Sequence, residues 1–221
     1  MKTYSAIILL GGSSTRFNNQ INKVYLKINE KPVFLHSVDT FLKDPDCDEI
    51  IIVYNKDDFE LLKSFNLDNN IILTPGGNER YESVLCGALK AKNTYVIVHD
   101  GARPNINQEL INRVKEELNN SYCVSLGVPV TDTIKKVDER VETISRTNLY
   151  YMQTPQGSNK DALINVLKKI KEEDEITDDL MAFEKYSDIN PHIVLGDKNN
   201  IKITTCEDYE YVKFLMEKKD V

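Results

Sequence analysis

Two glycine-rich turns, one Asp-Gly step and a few scattered cations are the parts of this sequence that could do chemistry. The first turn, Gly11-Gly12-Ser13-Ser14-Thr15-Arg16, follows an apolar run that ends at Leu10. Glycines let backbone N–H groups approach an anion closely, and hydroxyls add further donors. A turn of this kind at the end of a first strand is where α/β sheets hold phosphates. It is neither a Walker loop nor a Gly-x-Gly-x-x-Gly fingerprint, and alone it also reads as an ordinary surface turn. Arg16 and Lys23 follow it. Crowded negative charge is the obstacle in phosphoryl and nucleotidyl transfer, so fixed cations beside the reacting phosphorus lower the barrier. Taken singly, the two would be solvated surface charges.

The second turn is Gly76-Gly77-Asn78-Glu79-Arg80, with Ser83 opening a helical stretch. Its backbone could read the edge of a base, or it could be a helix entry capped by Asn78. A further strand ends in His99-Asp100-Gly101-Ala102-Arg103-Pro104. Asp100 is placed to meet a ribose hydroxyl or a magnesium ion, or simply to cap its turn. Thr133, Arg146, Thr154-Pro155-Gln156, Thr177-Asp178-Asp179 and Asn200-Ile201-Lys202 are not diagnostic one by one. His36, His99 and His192 are scattered, with no spacing for a metal cluster or a triad, and read as structural. Cys47, Cys86, Cys123 and Cys206 include no close pair, which argues against a zinc knuckle or redox dithiol and for four buried thiols in a reducing compartment.

The elements that must position these residues alternate. Tyr4 to Leu10, Glu49 to Tyr54, Asn70 to Leu73, Tyr95 to His99 and Ser121 to Val128 read as strands, several of them continuously apolar, as in a parallel sheet covered on both faces. Amphipathic stripes lie between or after them: Phe34, Val38, Phe41 and Leu42; Leu110, Ile111, Val114 and Leu118; Tyr211, Val212, Leu215 and Met216. This order predicts right-handed βαβ crossovers in a Rossmann-like α/β sandwich. Thr133 to Ile144 breaks the rhythm. It reads as a hairpin with strands around Ile134 and Val141 and a turn at Asp138 and Glu139. With little core of its own, it must pack on the main body or on a second subunit.

Bulk properties bound the rest. The 221 residues suffice for one domain, read as 1–221 without a linker. With 35 acidic and 28 basic residues the formal charge is -7, which argues against a nucleic-acid surface but not against a small anionic substrate met by local cations. The N-terminal apolar run is too short for a membrane span and lacks a signal-peptide cleavage pattern, so the expected location is cytoplasmic.

The motifs occur together, in order, in one family. From Ala6 to Tyr211 the chain resembles the 2-C-methyl-D-erythritol 4-phosphate cytidylyltransferases of the non-mevalonate isoprenoid pathway. The resemblance is most specific at His99 to Pro104, Pro129 to Thr133, Thr154-Pro155-Gln156, Thr177-Asp178 and Asn200 to Thr204. It implies a single α/β nucleotidyltransferase domain with a mostly parallel sheet. It also implies a protruding β-arm over residues 129–151 that joins a homodimer and completes the partner's active site. Arg16 and Lys23 would stabilise the transition state at the α-phosphorus of CTP. Leu10, Gly11, Gly12, Ser13, Ser14 and Thr15 would hold the triphosphate. Gly77, Asn78 and Ser83 would face the cytosine. Asp100 and Gly101 would sit by the ribose, with Asp100 near Mg2+. Arg103, Thr133 and Thr154 would line the sugar-phosphate pocket. Arg146, from the partner's arm, and Lys202 would orient the attacking phosphate.

The chain departs from the family pattern in places. The usual first loop is Ala-Ala-Gly-x-Gly-x-Arg, whereas Leu10 opens this one and Ser14 replaces the second glycine. Asn22 and Val24 flank the lysine where Pro and Gln are usual, and Gly101 stands where Ala is commoner. A ribitol-5-phosphate cytidylyltransferase of wall or capsule synthesis would use the same chemistry. Those enzymes tend to have Ser-Asp-Ala-Cys or Thr-Asp-Ala-Cys in place of Thr177-Asp178-Asp179-Leu180, and often Val in place of Ala102, so both positions favour methylerythritol phosphate. A non-catalytic nucleotide-binding protein is the third reading. Binding alone would not require Arg16, Lys23, Arg146 and Lys202 together.

Overall fold

The computed structural model describes residues 3–11 and 22–218. Its elements in chain order are β1 (Tyr4–Leu9), β2 (Lys27–Ile28), β3 (Lys31–Pro32), α1 (Val33–Leu42), β4 (Cys47–Tyr54), α2 (Phe59–Lys63), β5 (Ile71–Pro75), α3 (Arg80–Lys90) and β6 (Tyr95–Asp100). They continue with α4 (Gln108–Glu117), β7 (Cys123–Pro129), β8 (Ile134–Val137), β9 (Val141–Ile144), β10 (Tyr150–Asn159), α5 (Lys160–Leu167), α6 (Asp179–Tyr186), β11 (His192–Leu195) and α7 (Cys206–Glu217).

Seven strands form the main sheet in the order β11-β7-β10-β6-β1-β4-β5. β1 pairs in parallel with β4 and β6, β4 with β5, and β11 with β7, while β10 runs antiparallel between β6 and β7. The continuous apolar runs are explained by cover on both faces. Successive side chains in a strand point to opposite sides. Ile8, Ile50, Ile52 and Ile97 therefore pack with Phe34, Val38 and Phe41 of α1 and Ile111 and Val114 of α4. Ile7, Ile51, Val53 and Val98 pack with Val84 of α3, Leu163 and Val166 of α5 and Phe183 of α6. Phe41 is fully buried, and truncating such a ring costs about 3–5 kcal/mol. A smaller cluster of Ile28, Val33, Ile203 and Val212 docks α7. Within the predicted C-terminal stripe Val212 is buried, but Tyr211 is half exposed.

β8 and β9 form a separate two-stranded sheet with Ile134 opposite Ile144 and Val137 opposite Val141. The hairpin expected from the sequence is thus present, and it stands away from the core: Val137 is 69% and Val141 67% exposed. Its base is closed where Tyr150 of β10 pairs with Pro129 of β7.

Four strands were not foreseen: the two-residue pair β2 and β3, which forms a small sheet of its own, and β10 and β11 of the main sheet. β11 is a short edge strand. β10 is polar, with Gln153, Thr154, Gln156 and Ser158 all buried, so it carries no apolar pattern. Hydrogen bonds meet its buried amides instead: Gln153 donates to the Asp197 carbonyl at 2.8 Å and Gln156 to the Ser125 hydroxyl at 3.1 Å. The cysteine expectation needs correction as well. All four are free thiols, but Cys123 alone is fully buried and Cys206, in the first turn of α7, is exposed.

Candidate active site

A cleft of about 580 Å³ opens at the C-terminal ends of β1, β4, β5 and β6, a size suited to a small-molecule ligand. Leu9 contributes from the end of β1 and Gly11 from the turn after it, and Tyr54 from the end of β4 with Asn55 and Lys56 just beyond. The turn after β5 and the start of α3 supply Gly76 to Arg80, Glu82 and Ser83, while Asp100 and Lys202 close the other side.

The turn before α3 is held by its own backbone. Gly76 N–H donates to the Tyr54 carbonyl at 2.8 Å, and Gly77 N–H to the Ser83 hydroxyl at 3.2 Å. A Cβ on Gly76 would stand 2.6 Å from that same hydroxyl oxygen, so the turn can approach the helix only with glycine there. The helix cap is Glu79 rather than Asn78, in a capping box with Glu82. The Glu82 carboxylate accepts from Asn78 N–H at 2.6 Å and Glu79 N–H at 3.1 Å.

Asp100 is the electrostatic centre of the opposite wall. Lys202 Nζ lies 2.9 Å and Arg103 Nε 3.6 Å from its Oδ2, and Arg80 Nε lies 3.7 Å from its Oδ1. Burial alone would raise this carboxyl, but Lys202, Arg80 and Arg103 together hold it well below the usual carboxylate range. Arg80 Nη1 also donates to Asp179 Oδ1 at 2.7 Å. Three cations thus gather in a knot around Asp100 and Asp179, with Asp178 close enough to act on Arg80 and Asp179, and Lys202 and Arg80 line the cleft where an anionic ligand could meet them. Burial raises the Asp179 carboxyl despite the opposing charge of Arg80.

Beneath the knot, Asp100 N–H donates to Thr154 Oγ1 at 3.0 Å, and that hydroxyl lies 3.1 Å from His99 Nδ1. His99 Nε2 is 3.1 Å from the Arg103 carbonyl, which can only accept, so Nε2 carries the proton and Nδ1 accepts from Thr154. Burial pushes the His99 imidazole down to about 4, against a smaller upward pull from Asp100. Arg103 Nη1 donates to the Asn200 carbonyl at 2.8 Å, and Asn200 Nδ2 donates to the Thr154 carbonyl at 2.8 Å. These bonds fasten the segment carrying Lys202 to the turn after β6 and to β10.

Gly101 has a steric explanation. Its N–H donates to the Leu9 carbonyl at 2.9 Å, and a Cβ there would stand 2.6 Å from Leu10 Cδ2. The bulk of Leu10 thus fills the place a side chain at 101 would take.

Of the residues named from sequence, Gly11, Gly77, Asn78, Ser83, Asp100 and Lys202 line one cleft. Leu10 is buried beneath it, with Gly101, Arg103 and Thr154 packed around Asp100. Lys23 opens a short 3₁₀ turn, Lys23–Tyr25. Just before it, Asn22 Nδ2 donates to the Leu10 carbonyl at 3.0 Å, which tethers that turn to the end of β1. Gly12, Ser13, Ser14, Thr15 and Arg16 lie outside the described residues. Thr133 and Arg146 sit on the exposed arm, where Arg146 donates to the Thr131 carbonyl, and not in this chain's own cleft. Sequence reasoning missed Arg80, Asp179 and Lys56 as parts of the site. Arg80 follows the glycine pair directly, but its pairing with a residue 99 positions away has no local signal.

Among the described residues no group of three or more His, Cys, Asp or Glu is arranged to hold a metal ion. Asp100 offers one carboxylate at a cleft wall. That donor set fits Mg2+, which characteristically takes one or two carboxylates and completes its shell with substrate phosphates and water.

Known proteins are similar to this chain along nearly its whole length. A model of the family described as IspD, 2-C-methyl-D-erythritol 4-phosphate cytidylyltransferase, matches residues 4–218. The chain is 36% identical over 217 residues to the 2-C-methyl-D-erythritol 4-phosphate cytidylyltransferase of Lachnospira eligens, covering 93% of this chain and 96% of that one. It is 38% identical over 216 residues to the protein of the same name from Bacillus cytotoxicus, covering 93% and 94%. It is also similar to the crystal structure of 4-diphosphocytidyl-2C-methyl-D-erythritol synthase from Anaerococcus prevotii, with a TM-score of 0.86, 30% identity, and coverage of 98% and 99%.

Proposed function

The chain belongs to the 2-C-methyl-D-erythritol 4-phosphate cytidylyltransferase family, and from that premise we propose how its residues divide the work. It transfers the cytidylyl group of CTP to 2-C-methyl-D-erythritol 4-phosphate, giving 4-diphosphocytidyl-2-C-methyl-D-erythritol and pyrophosphate. The observation that carries the assignment of roles is the shared cleft: a backbone-lined turn at Gly77 and Ser83 faces a cationic knot around Asp100.

The base lies against Gly77, Asn78 and Ser83. The Ser83 hydroxyl accepts from Gly77 N–H and so keeps its own proton to donate. The ribose lies at Asp100 and Gly101. The triphosphate follows the loop from Leu10 to Thr15. A phosphate oxygen of the acceptor attacks the α-phosphorus in line. The new P–O bond forms as the bond to the bridging α,β oxygen breaks, and pyrophosphate leaves with that electron pair. No covalent enzyme intermediate is needed. Arg16 and Lys23 stabilise charge at the α-phosphorus, and Lys202 orients the attacking phosphate. Arg103 and Thr154 support the acceptor side from beneath, through Asp100. Asp100 would hold Mg2+, which when bound neutralises charge on the phosphates.

Thr133 and Arg146 serve the acceptor pocket of a second subunit, to which the 129–151 arm of the 1–221 domain reaches in a homodimer. The exposed Val137 and Val141 support that reading. The cytoplasmic location expected from the sequence is part of this proposal; among the described residues no helix is long and apolar enough to cross a membrane.

Pyrophosphate release from CTP tests the assignment. Release should be fastest with 2-C-methyl-D-erythritol 4-phosphate and slower with ribitol 5-phosphate. Lys23→Ala should lose on the order of 10²–10³ in kcat while CTP binding survives in part. Faster use of ribitol phosphate would reverse the acceptor, and release with neither would leave a nucleotide-binding protein. A fully active Lys23→Ala would remove the lysine from its role.

A further inference from the structure

The Arg80–Asp179 pair is the part of the site that the division of labour above leaves unused. Arg80 is the first residue of α3, Asp179 the first of α6, and Asp100 the last of β6. Three elements therefore meet at one guanidinium. Its side chain is 24% exposed, and those of Asp100 and Asp179 are 9% and 3%. Asp179 is held in turn: its N–H donates to Gln156 Oε1 at 3.1 Å, and Gln156 Nε2 donates to Asp178 Oδ2 at 3.1 Å. Asp178 caps α6 by accepting from Met181 N–H at 2.9 Å. The second oxygen of Asp179 is buried without a hydrogen-bond partner, so Arg80 is the charge that compensates it.

The two oxygens of Asp100 are treated differently. Lys202 and Arg103 both face Oδ2, whereas Arg80 faces Oδ1. Among the described residues Arg80 is the cation facing Oδ1, so without it the pull on Oδ2 would be unbalanced and the carboxylate would be free to turn towards Lys202. An arginine fork can meet two carboxylates at once from a fixed plane; a lysine is a single point charge.

We propose that Arg80 is a positioning residue: anchored by Asp179, it holds the Asp100 carboxylate in the orientation that cytidylyl transfer requires. This rests on the assignment of Asp100 to the nucleotide. Arg80 acts on the reaction through Asp100 and not by touching the reacting phosphorus.

The test is a double-mutant cycle read by single-turnover cytidylyl transfer, which follows rates many decades below wild type, together with the CTP dissociation constant. Arg80→Gln should slow transfer on the order of 10²-fold, as a misplaced catalytic group does, while CTP affinity changes only a few-fold. In an Asp100→Asn background the same Arg80→Gln change should slow transfer by less than about threefold, because the group it positions is gone. Arg80→Lys should fold normally yet recover little of the rate. If Arg80→Gln leaves Asp179 uncompensated and the protein unfolds, Arg80→Gln/Asp179→Asn removes both partners of the pair and is compared in the same cycle. A full 10²-fold loss in the Asp100→Asn background, or transfer at the wild-type rate in any soluble Arg80 variant, would overturn the proposal. Wild-type protein that transfers nothing from CTP would count instead against the reaction assigned above.

Discussion

His99 shows how much of this site is spent on holding a single carboxylate. Its ring carries one proton, and both nitrogens are used, one on the Arg103 carbonyl and one on the Thr154 hydroxyl that in turn receives Asp100 N–H. The neutral ring is therefore a strut, and its charge state is linked to stability. The folded imidazole titrates at about 4, below its ordinary 6.5, so between those values the unfolded chain binds a proton that the folded chain refuses. The contribution is complete above about pH 6.5 and is lost as pH falls towards 4. Denaturant unfolding should accordingly show about 2 kcal/mol less stability at pH 5 than at pH 7, with the loss reduced in His99→Gln. An identical pH slope in that variant would contradict the assignment. The histidine was legible from sequence only as structural. Asp100, Gly77 and Ser83 were legible because cleft-lining residues gather where strands end, and Lys202 only through the family resemblance. Arg80 and Asp179 were not, because an ion pair across 99 positions leaves no periodicity to read.

At the level of elements, the parallel core was readable because strands covered on both faces carry continuous apolar runs, as Ala6 to Leu9 do in β1 and Ile50 to Tyr54 in β4. β10 escaped because it does the opposite, filling the space between β6 and β7 with amides and hydroxyls that hydrogen-bond inward. The arm was visible as a break in rhythm. A two-stranded hairpin is marginal in water on its own, and this one presents Val137 and Val141 as an exposed cross-strand pair. Replacing both with lysine should leave the main sheet intact yet shift the protein to monomer in sedimentation. Arg146→Ala should raise KM for the sugar phosphate more than for CTP. A variant that stays dimeric, or a change confined to CTP affinity, would place the arm elsewhere.

For the molecule as a whole, the sheet brings four strand ends together so that one cleft has a backbone-lined side and a charged side. The protein carries a formal charge of -7, yet it concentrates Arg80, Arg103 and Lys202 around one buried aspartate. Local charge, not net charge, decides what binds there. A crystal structure with CTP and magnesium tests this account most directly. It should show cytosine against Gly77 and Ser83, the ribose at Asp100, and the α-phosphate between Lys23 and Lys202. CTP bound away from these strand ends, or Lys23 and Lys202 both turned from the α-phosphate, would contradict it.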